Sequence, residues 1–205
     1  MIEYIESVIG FDARESISNF PEAWDNQRIR QYLLKTKIIK PCSADLMVWD
    51  SIFHMLNIEL PNWIGPGQQW DNLQRLQGYL KREKVDHSYW LVAVSKWSIA
   101  NEENSFQKLP HVEPNSISRE WDFLGFDIAD PYLLSGLMNA GYLVEEHEAL
   151  SEKWSGHLNQ YHLFDNFNLA LQFKSLTDER VEEHKPFSVY GIYLIERVDK
   201  QTMNK

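Results

Sequence analysis

The stretch YWLVAVSKW at residues 89–97 decides the fold class of this 205-residue chain. Large apolar side chains occupy both alternating sets of positions, with Leu91 and Ala93 on one side and Val92 and Val94 on the other. A strand that is apolar on both faces is typical of the centre of a sheet that is covered on both sides. The run therefore predicts a central β-strand.

Further strands are expected on the C-terminal side of this run. Residues 187–198 show the same two-sided apolar pattern, and residues 121–127 also resemble a strand. Residues 166–174 alternate apolar and polar side chains, and a period of two favours a strand. Phe167 and Leu171 equally fit one face of a helix, so that alternative stays open. Three or four strands, mostly antiparallel, are the expected sheet.

The N-terminal part of the chain carries helical patterns. Residues 19–40 begin with Asn19 and Glu22 in a capping arrangement. Ser43 is a suitable N-cap for a second helix, and a third is expected from Trp70 to Leu80. The spacing therefore predicts a mainly helical part over residues 1–85.

Helices are also expected between the later strands. Asp130 precedes a proline, as an N-cap residue before the first turn often does. Residues 145–161 form a second candidate, and Thr177 is placed to cap a third over residues 178–184. We expect one α+β domain over residues 1–205. Its helical N-terminal half, residues 1–85, packs on a three- to four-stranded, mostly antiparallel sheet. The sheet and the further helices form the mixed α/β part, residues 86–205.

Composition and charge exclude several classes of protein. The formal net charge is −10, which disfavours nucleic-acid binding because phosphate contacts need a basic surface. The single cysteine, Cys42, cannot form an internal disulfide and favours a reducing compartment. Glu3 and Glu6 lie where a secretory signal would be basic and then apolar. We therefore expect a cytoplasmic protein that does not enter a membrane.

The negative charge is concentrated in one part of the chain. Residues 101–152 hold 11 acidic and two basic side chains, a net charge of −9. Both flanking parts are close to neutral, so the excess could form a footprint for a basic partner. A solvated acidic face without a partner is the simpler alternative. Residues 98–118, which overlap this window, read as a long loop of the kind that is often functional.

No catalytic, metal-binding or cofactor-binding signature is found. Gly65-Pro66-Gly67 lacks the lysine of a phosphate-binding loop, and His157 and His162 are five residues apart, on different faces of a helix. Asp127 lies between two apolar residues and could have a raised pKa. A structural role, in which Asp127 accepts hydrogen bonds from turn amides, is the alternative.

Two other functions remain open from the sequence. An enzyme could place its site around Asp127, the loop over residues 98–118 and His111. A small-ligand module could use some of the eight tryptophans, with Trp63 the best candidate for an exposed contact. The missing catalytic signature favours a binding protein over an enzyme.

The run WDFLGFDIAD at residues 121–130, continuing through Ser135-Gly136-Leu137 to Gly141-Tyr142, resembles segments of small bacterial immunity proteins of toxin–immunity systems. The resemblance implies an acidic cytoplasmic protein that occludes a cognate toxin domain, such as a nuclease, and has no catalytic residues. No metal or cofactor is expected. The oligomeric state stays open. The expected partner-binding residues are Glu102, Glu103, Glu120, Asp122, Asp127, Glu145, Glu146 and Glu148, with Trp121 and Tyr142 as aromatic anchors.

Overall fold

A computed structural model of the protein is built around a four-stranded antiparallel sheet. The strand order is β1 (Tyr4–Arg14), β2 (Tyr89–Ile99), β4 (Ser188–Val198), β3 (Asp122–Ala129). Within the described part of the chain, two α-helices accompany the sheet, α1 (Leu73–Arg82) and α2 (Phe167–Arg180), with a short 3-10 turn at Ser155–His157. The structure describes residues 3–14, 70, 72–82, 89–100, 117–130, 136, 154–161, 163–182 and 184–199.

The two central strands are the two with apolar side chains on both faces. β2 pairs with β1 and β4, and β4 pairs with β2 and, over Ser188–Leu194, with β3, so both strands lie inside the sheet. Leu91, Val92, Ala93 and Val94 are all almost completely buried. Burial on both faces explains why the run at residues 89–97 lacks a polar side over most of its length.

The expectation that a helical N-terminal half packs on the sheet is wrong. Residues 4–14 form strand β1 at one edge of the sheet, and strands outnumber helices in the described part of the chain. Gly10 and the register shift between Val8 and Gly10 break the alternation that would reveal the strand in the sequence. The helices expected over residues 19–40 and after Ser43 lie outside the described residues.

Helix α1 forms where the third N-terminal helix is expected. Asn72 Oδ1 accepts a hydrogen bond of 3.1 Å from the Arg75 amide, which satisfies one donor of the first turn. Leu76, Tyr79 and Leu80 are buried at helical spacing. Two basic residues occupy the last turn, where they suit the helix dipole.

Helix α2 corrects the strand favoured for residues 166–174. Asn166 is its N-cap, because its side chain accepts hydrogen bonds from the amides of Asn168 and Leu169. Ala170 and Phe173 face the core, together with Thr177. The short helix expected from Thr177 is likewise wrong, since α2 runs through that position. Of the helix expected over residues 145–161, residues 145–153 lie outside the described residues. Trp154 is helical, Ser155–His157 form a 3-10 turn, and residues 158–161 are not helical.

Both α-helices pack on the same face of the sheet, which we call the helical face. Helix α1 packs against Phe11, Leu91 and Ala93 in one apolar cluster. Helix α2 packs near the other end of the strands, against Ile128 and Val189 in a second cluster. The middle of the helical face therefore lies between two separate apolar cores. None of the helices in the described part of the chain is long and apolar enough to span a bilayer.

Candidate functional site

A glutamate occupies the middle of the helical face. Glu6 Oε1 accepts a hydrogen bond of 2.5 Å from the Ser95 hydroxyl and one of 2.7 Å from the Tyr193 hydroxyl. Ser95 is completely buried and Tyr193 is 8% exposed, so both donors are fixed by the core around them. Three strands supply this group, which we call the Glu6 centre: Glu6 from β1, Ser95 from β2 and Tyr193 from β4.

The Tyr193 hydroxyl is held in its protonated form. Burial raises the pKa of Tyr193, the hydrogen bond and negative charge of Glu6 raise it further, and the hydrogen bond with Ser95 acts in the opposite direction. A protonated phenol donates its hydrogen to the carboxylate. The Glu6 centre is therefore a carboxylate oriented by two hydroxyl donors.

A glycine in a central strand makes room for this arrangement. A Cβ at Gly191 would lie 2.6 Å from Ser95 Oγ, 2.8 Å from Glu6 Oε1 and 3.1 Å from Tyr193 Cε2. Glycine inside a strand often marks a place where another group approaches the backbone closely. Gly191 thus lets the Glu6 carboxylate reach across β2 and lie over β4.

Aromatic rings surround the Glu6 centre on the helical face. We call this set the aromatic surface. Successive ring centroids lie 4.7 to 6.5 Å apart, within the range of edge and offset ring contacts. Most of its members remain partly open to solvent. The rings are those of Tyr4, Trp97, Trp121, Phe123, Phe126, Phe167 and Tyr193.

A β-bulge places two of these rings on one face. The register between β3 and β4 shifts between Phe123 and Gly125, so Phe123 and Phe126 both lie on the helical face. Gly125 has φ +140°, a conformation that side-chain-bearing residues rarely adopt. Strict alternation would assign the two phenylalanines to opposite faces. The glycine between them is the sequence signal that could have revealed the bulge.

An exposed patch lies where β3 begins. Phe123 is 42% exposed and, with Ile5, is one of the two exposed large apolar side chains among the described residues. Glu120 and Asp122 beside it are exposed, and Trp121 is half-buried against Phe11 and Tyr193. We call residues 120–123 the β3 patch. Trp121 is one of the two anchors expected from the sequence, but Phe123, which is not among the expected residues, is the more exposed ring.

The other expected partner-binding residues are distributed differently. Asp127 is completely buried, and its Oδ1 accepts a hydrogen bond of 2.7 Å from the amide of Ile128, which lies in β3 rather than in a turn. Its carboxylate therefore does not contribute to the surface charge. The remaining residues lie outside the described part of the chain: Glu102, Glu103, Tyr142, Glu145, Glu146 and Glu148.

A second polar cluster lies at the far end of β3. The completely buried Asp130 has its Oδ2 2.8 Å from Nδ1 of His184. Burial raises the pKa of Tyr190, a hydrogen bond from Ser188 lowers it, and the nearby carboxylates of Asp130 and Asp127 raise it. This cluster buries its polar groups against one another, so the geometry indicates a role in stability.

Lys96 lies beside this cluster in the sheet. It pairs with Tyr190, which in turn pairs with Asp127, so the three side chains share one row on the face opposite the helices. Burial, together with repulsion from Lys174, lowers the pKa of Lys96 to about 8.

The described residues contain no group of three or more histidine, cysteine, aspartate and glutamate side chains arranged to hold a metal ion. His111 and Trp63, named for the enzyme and ligand alternatives, lie outside them.

No family model, curated protein or solved structure matches this chain. The resemblance of residues 121–142 to immunity proteins therefore stays a prediction.

Proposed function

We propose that this chain is an immunity-type binding protein that neutralises a basic toxin domain, such as a nuclease, by occluding it in the cytoplasm. The observation that carries the proposal is the β3 patch, in which Phe123 is 42% exposed beside the exposed carboxylates of Glu120 and Asp122. Phe123 would fill an apolar pocket of the partner, and the carboxylates would meet its basic side chains.

The composition of the patch fits a protein interface. Interfaces combine a few aromatic anchors with a polar rim that excludes water from them. Phe123 rests on the rings of Phe126 and Tyr193, at 4.7 and 5.1 Å, so its orientation is supported from below. An anchor that is held in place before binding loses little side-chain entropy when the partner arrives.

Charge supports the same proposal. Residues 101–152 have a net charge of −9, although Asp127 and Asp130 of this window are buried and do not reach a partner. Complementary charges speed the encounter of two proteins more than they raise final affinity. The proposal therefore assigns affinity to Phe123 and the association rate to the carboxylates.

The proteins encoded by the genes adjacent to this one are the candidate partners for a direct test. Each is purified and titrated against this protein by calorimetry at low and high salt. We expect one basic protein to bind, with lower affinity at high salt. Phe123→Ala should weaken binding by about 30-fold or more, as expected for a hot-spot ring.

Charge variants separate the two contributions. E120K/D122K should slow association, whereas Arg119→Glu, at an exposed position next to the patch, should speed it. Glu182→Lys is the matched control, because Glu182 is 86% exposed and follows α2 near the opposite end of β3. The proposal fails if none of the basic proteins encoded by adjacent genes binds. It also fails if Phe123→Ala leaves the affinity unchanged and E120K/D122K leaves the association rate unchanged.

A further inference from the structure

We propose that the Glu6 centre and the rings around it bind one organic cation, an alkylammonium or guanidinium group, on the helical face. Both hydroxyl donors of the centre go to Oε1 of Glu6. The other oxygen, Oε2, has no hydrogen-bond partner among the residues that the structure describes. That oxygen can accept a hydrogen bond from the N–H of a bound cation.

The charge of Glu6 is not balanced within the described part of the chain. The ion pairs between described residues join Lys174 to Asp178 and Lys185 to Glu182, and neither these nor the contact of His184 with Asp130 includes Glu6. A carboxylate in a partly buried, aromatic setting is costly unless a counter-charge accompanies it. A bound cation supplies that counter-charge.

The rings nearest to Glu6 favour a cation as well. Trp97 is the cross-strand partner of Glu6 on β2, and Tyr4 lies two residues before Glu6 on the same face of β1. The Phe167 ring joins these two, at 4.7 Å from Trp97 and 5.1 Å from Tyr4. Aromatic faces attract cations through their quadrupole, and an adjacent carboxylate adds direct charge attraction.

The charge of Glu6 exceeds what the fold requires. A glutamine at position 6 keeps an acceptor oxygen for the hydroxyls of Ser95 and Tyr193, so the hydrogen bonds of the centre need no negative charge. Cation binding, in contrast, needs the carboxylate. Glu6→Gln therefore removes the proposed function of the site with little change to its structure.

The probe for the test is n-butylammonium chloride, titrated into the 15N-labelled protein at constant ionic strength and followed by NMR. We expect saturable shifts at the Ser95 and Gly191 amides and at the Trp97 indole, with millimolar affinity. n-Butanol, the neutral analogue, should leave these signals in place. The comparison uses the wild-type protein alone, so it remains decisive if a variant fails to fold.

Variants and peptides extend the test. Glu6→Gln should bind butylammonium about tenfold or more weakly, whereas Glu196→Gln, at an exposed position of β4, should bind as the wild type does. Short capped peptides with a central lysine or arginine show whether the cation belongs to a protein partner. Tighter binding of a peptide assigns the site to a partner's side chain, and tighter binding of butylammonium assigns it to a free amine.

The proposal is overturned if no cation shifts the Ser95, Gly191 and Trp97 signals, or if Glu6→Gln binds butylammonium as well as the wild type. The result does not depend on the proposed toxin partner, because every probe is a small molecule or a short peptide.

Discussion

Gly191 of β4 lies directly under the carboxylate of Glu6, which reaches it from β1 across the intervening strand β2. A methyl group at position 191 would stand 2.8 Å from Glu6 Oε1 and 2.6 Å from Ser95 Oγ. Atoms cannot be this close without displacement of one of them. The close approach therefore makes a glycine necessary at this position of a central strand.

Gly191→Ala should destabilise the protein by about 1–3 kcal/mol, the usual cost of overpacking a core. The Glu6 side chain can move away, but a different rotamer of the completely buried Ser95 would break the hydrogen bonds of its hydroxyl to Glu6 and to the Gly191 carbonyl. The free energy of unfolding, measured in urea by tryptophan fluorescence, checks the value. Equal stability of the variant and the wild type would contradict the described packing of Glu6 over β4.

Gly78→Ala should have the opposite effect and serves as the matched control. Gly78 lies inside α1, is exposed, and a Cβ there would meet no atom within 4 Å. Alanine favours the helix by about 0.5–1 kcal/mol relative to glycine. The same urea experiment should show that gain, and a loss would indicate that α1 does not extend through residue 78.

His184→Ala should cost about 1–3 kcal/mol, because it removes a partner of the completely buried Asp130 carboxylate. His184→Asn should be less destabilising, since an asparagine amide can donate from nearly the same position as Nδ1. Thermal unfolding at pH 7 compares the two variants. Equal stability of all three proteins would show that the pair does not contribute.

The lowered pKa of Lys96 predicts that the stability of the protein depends on pH. The fold lowers the Lys96 pKa to about 8, mainly by burial, while the ordinary value is 10.5. Between these values the unfolded chain binds more protons, so the free energy of unfolding should rise with pH. Below about pH 8 both states carry the proton and the contribution is constant.

The comparison is made against Lys96→Met at pH 7.5, 8.5 and 9.5, because the difference between the two proteins cancels the ionisation of the tyrosines that they share. The stability of the wild type relative to the variant should increase over this range. A constant or decreasing difference would show that Lys96 is not perturbed by the fold.

The two central strands could be predicted because their evidence is local. Residues 89–97 and 187–198 carry apolar side chains on both faces, and this pattern needs no knowledge of the neighbours. Strand β1 has no such signal, since polar Glu6 and Asp12 and the irregularity between Val8 and Gly10 hide its period. Helix α2 was ambiguous for a related reason: its apolar residues fit both periods, and only the cap at Asn166 distinguishes them.

The candidate site was beyond local reasoning. Glu6, Ser95 and Tyr193 come from three strands far apart in the sequence, and the strand order brings them together. The burial of Asp127 also depends on side chains outside its own strand. Glu120, Asp122 and Trp121 could be proposed because charge and aromatic content are visible directly in the sequence.

The proposed docking of a basic protein on the β3 patch is the central claim. Its most direct test is photocrosslinking in the native cell with a benzophenone amino acid at position 123, and at position 182 as the control. Glu182 follows α2 near the opposite end of β3, and the strand from Phe123 to Ala129 spans about 20 Å at 3.3 Å per residue. We predict one prominent crosslinked product at position 123, containing a basic protein, and none of that product at position 182. The same set of products from both positions, or no basic protein at position 123, would contradict the claim.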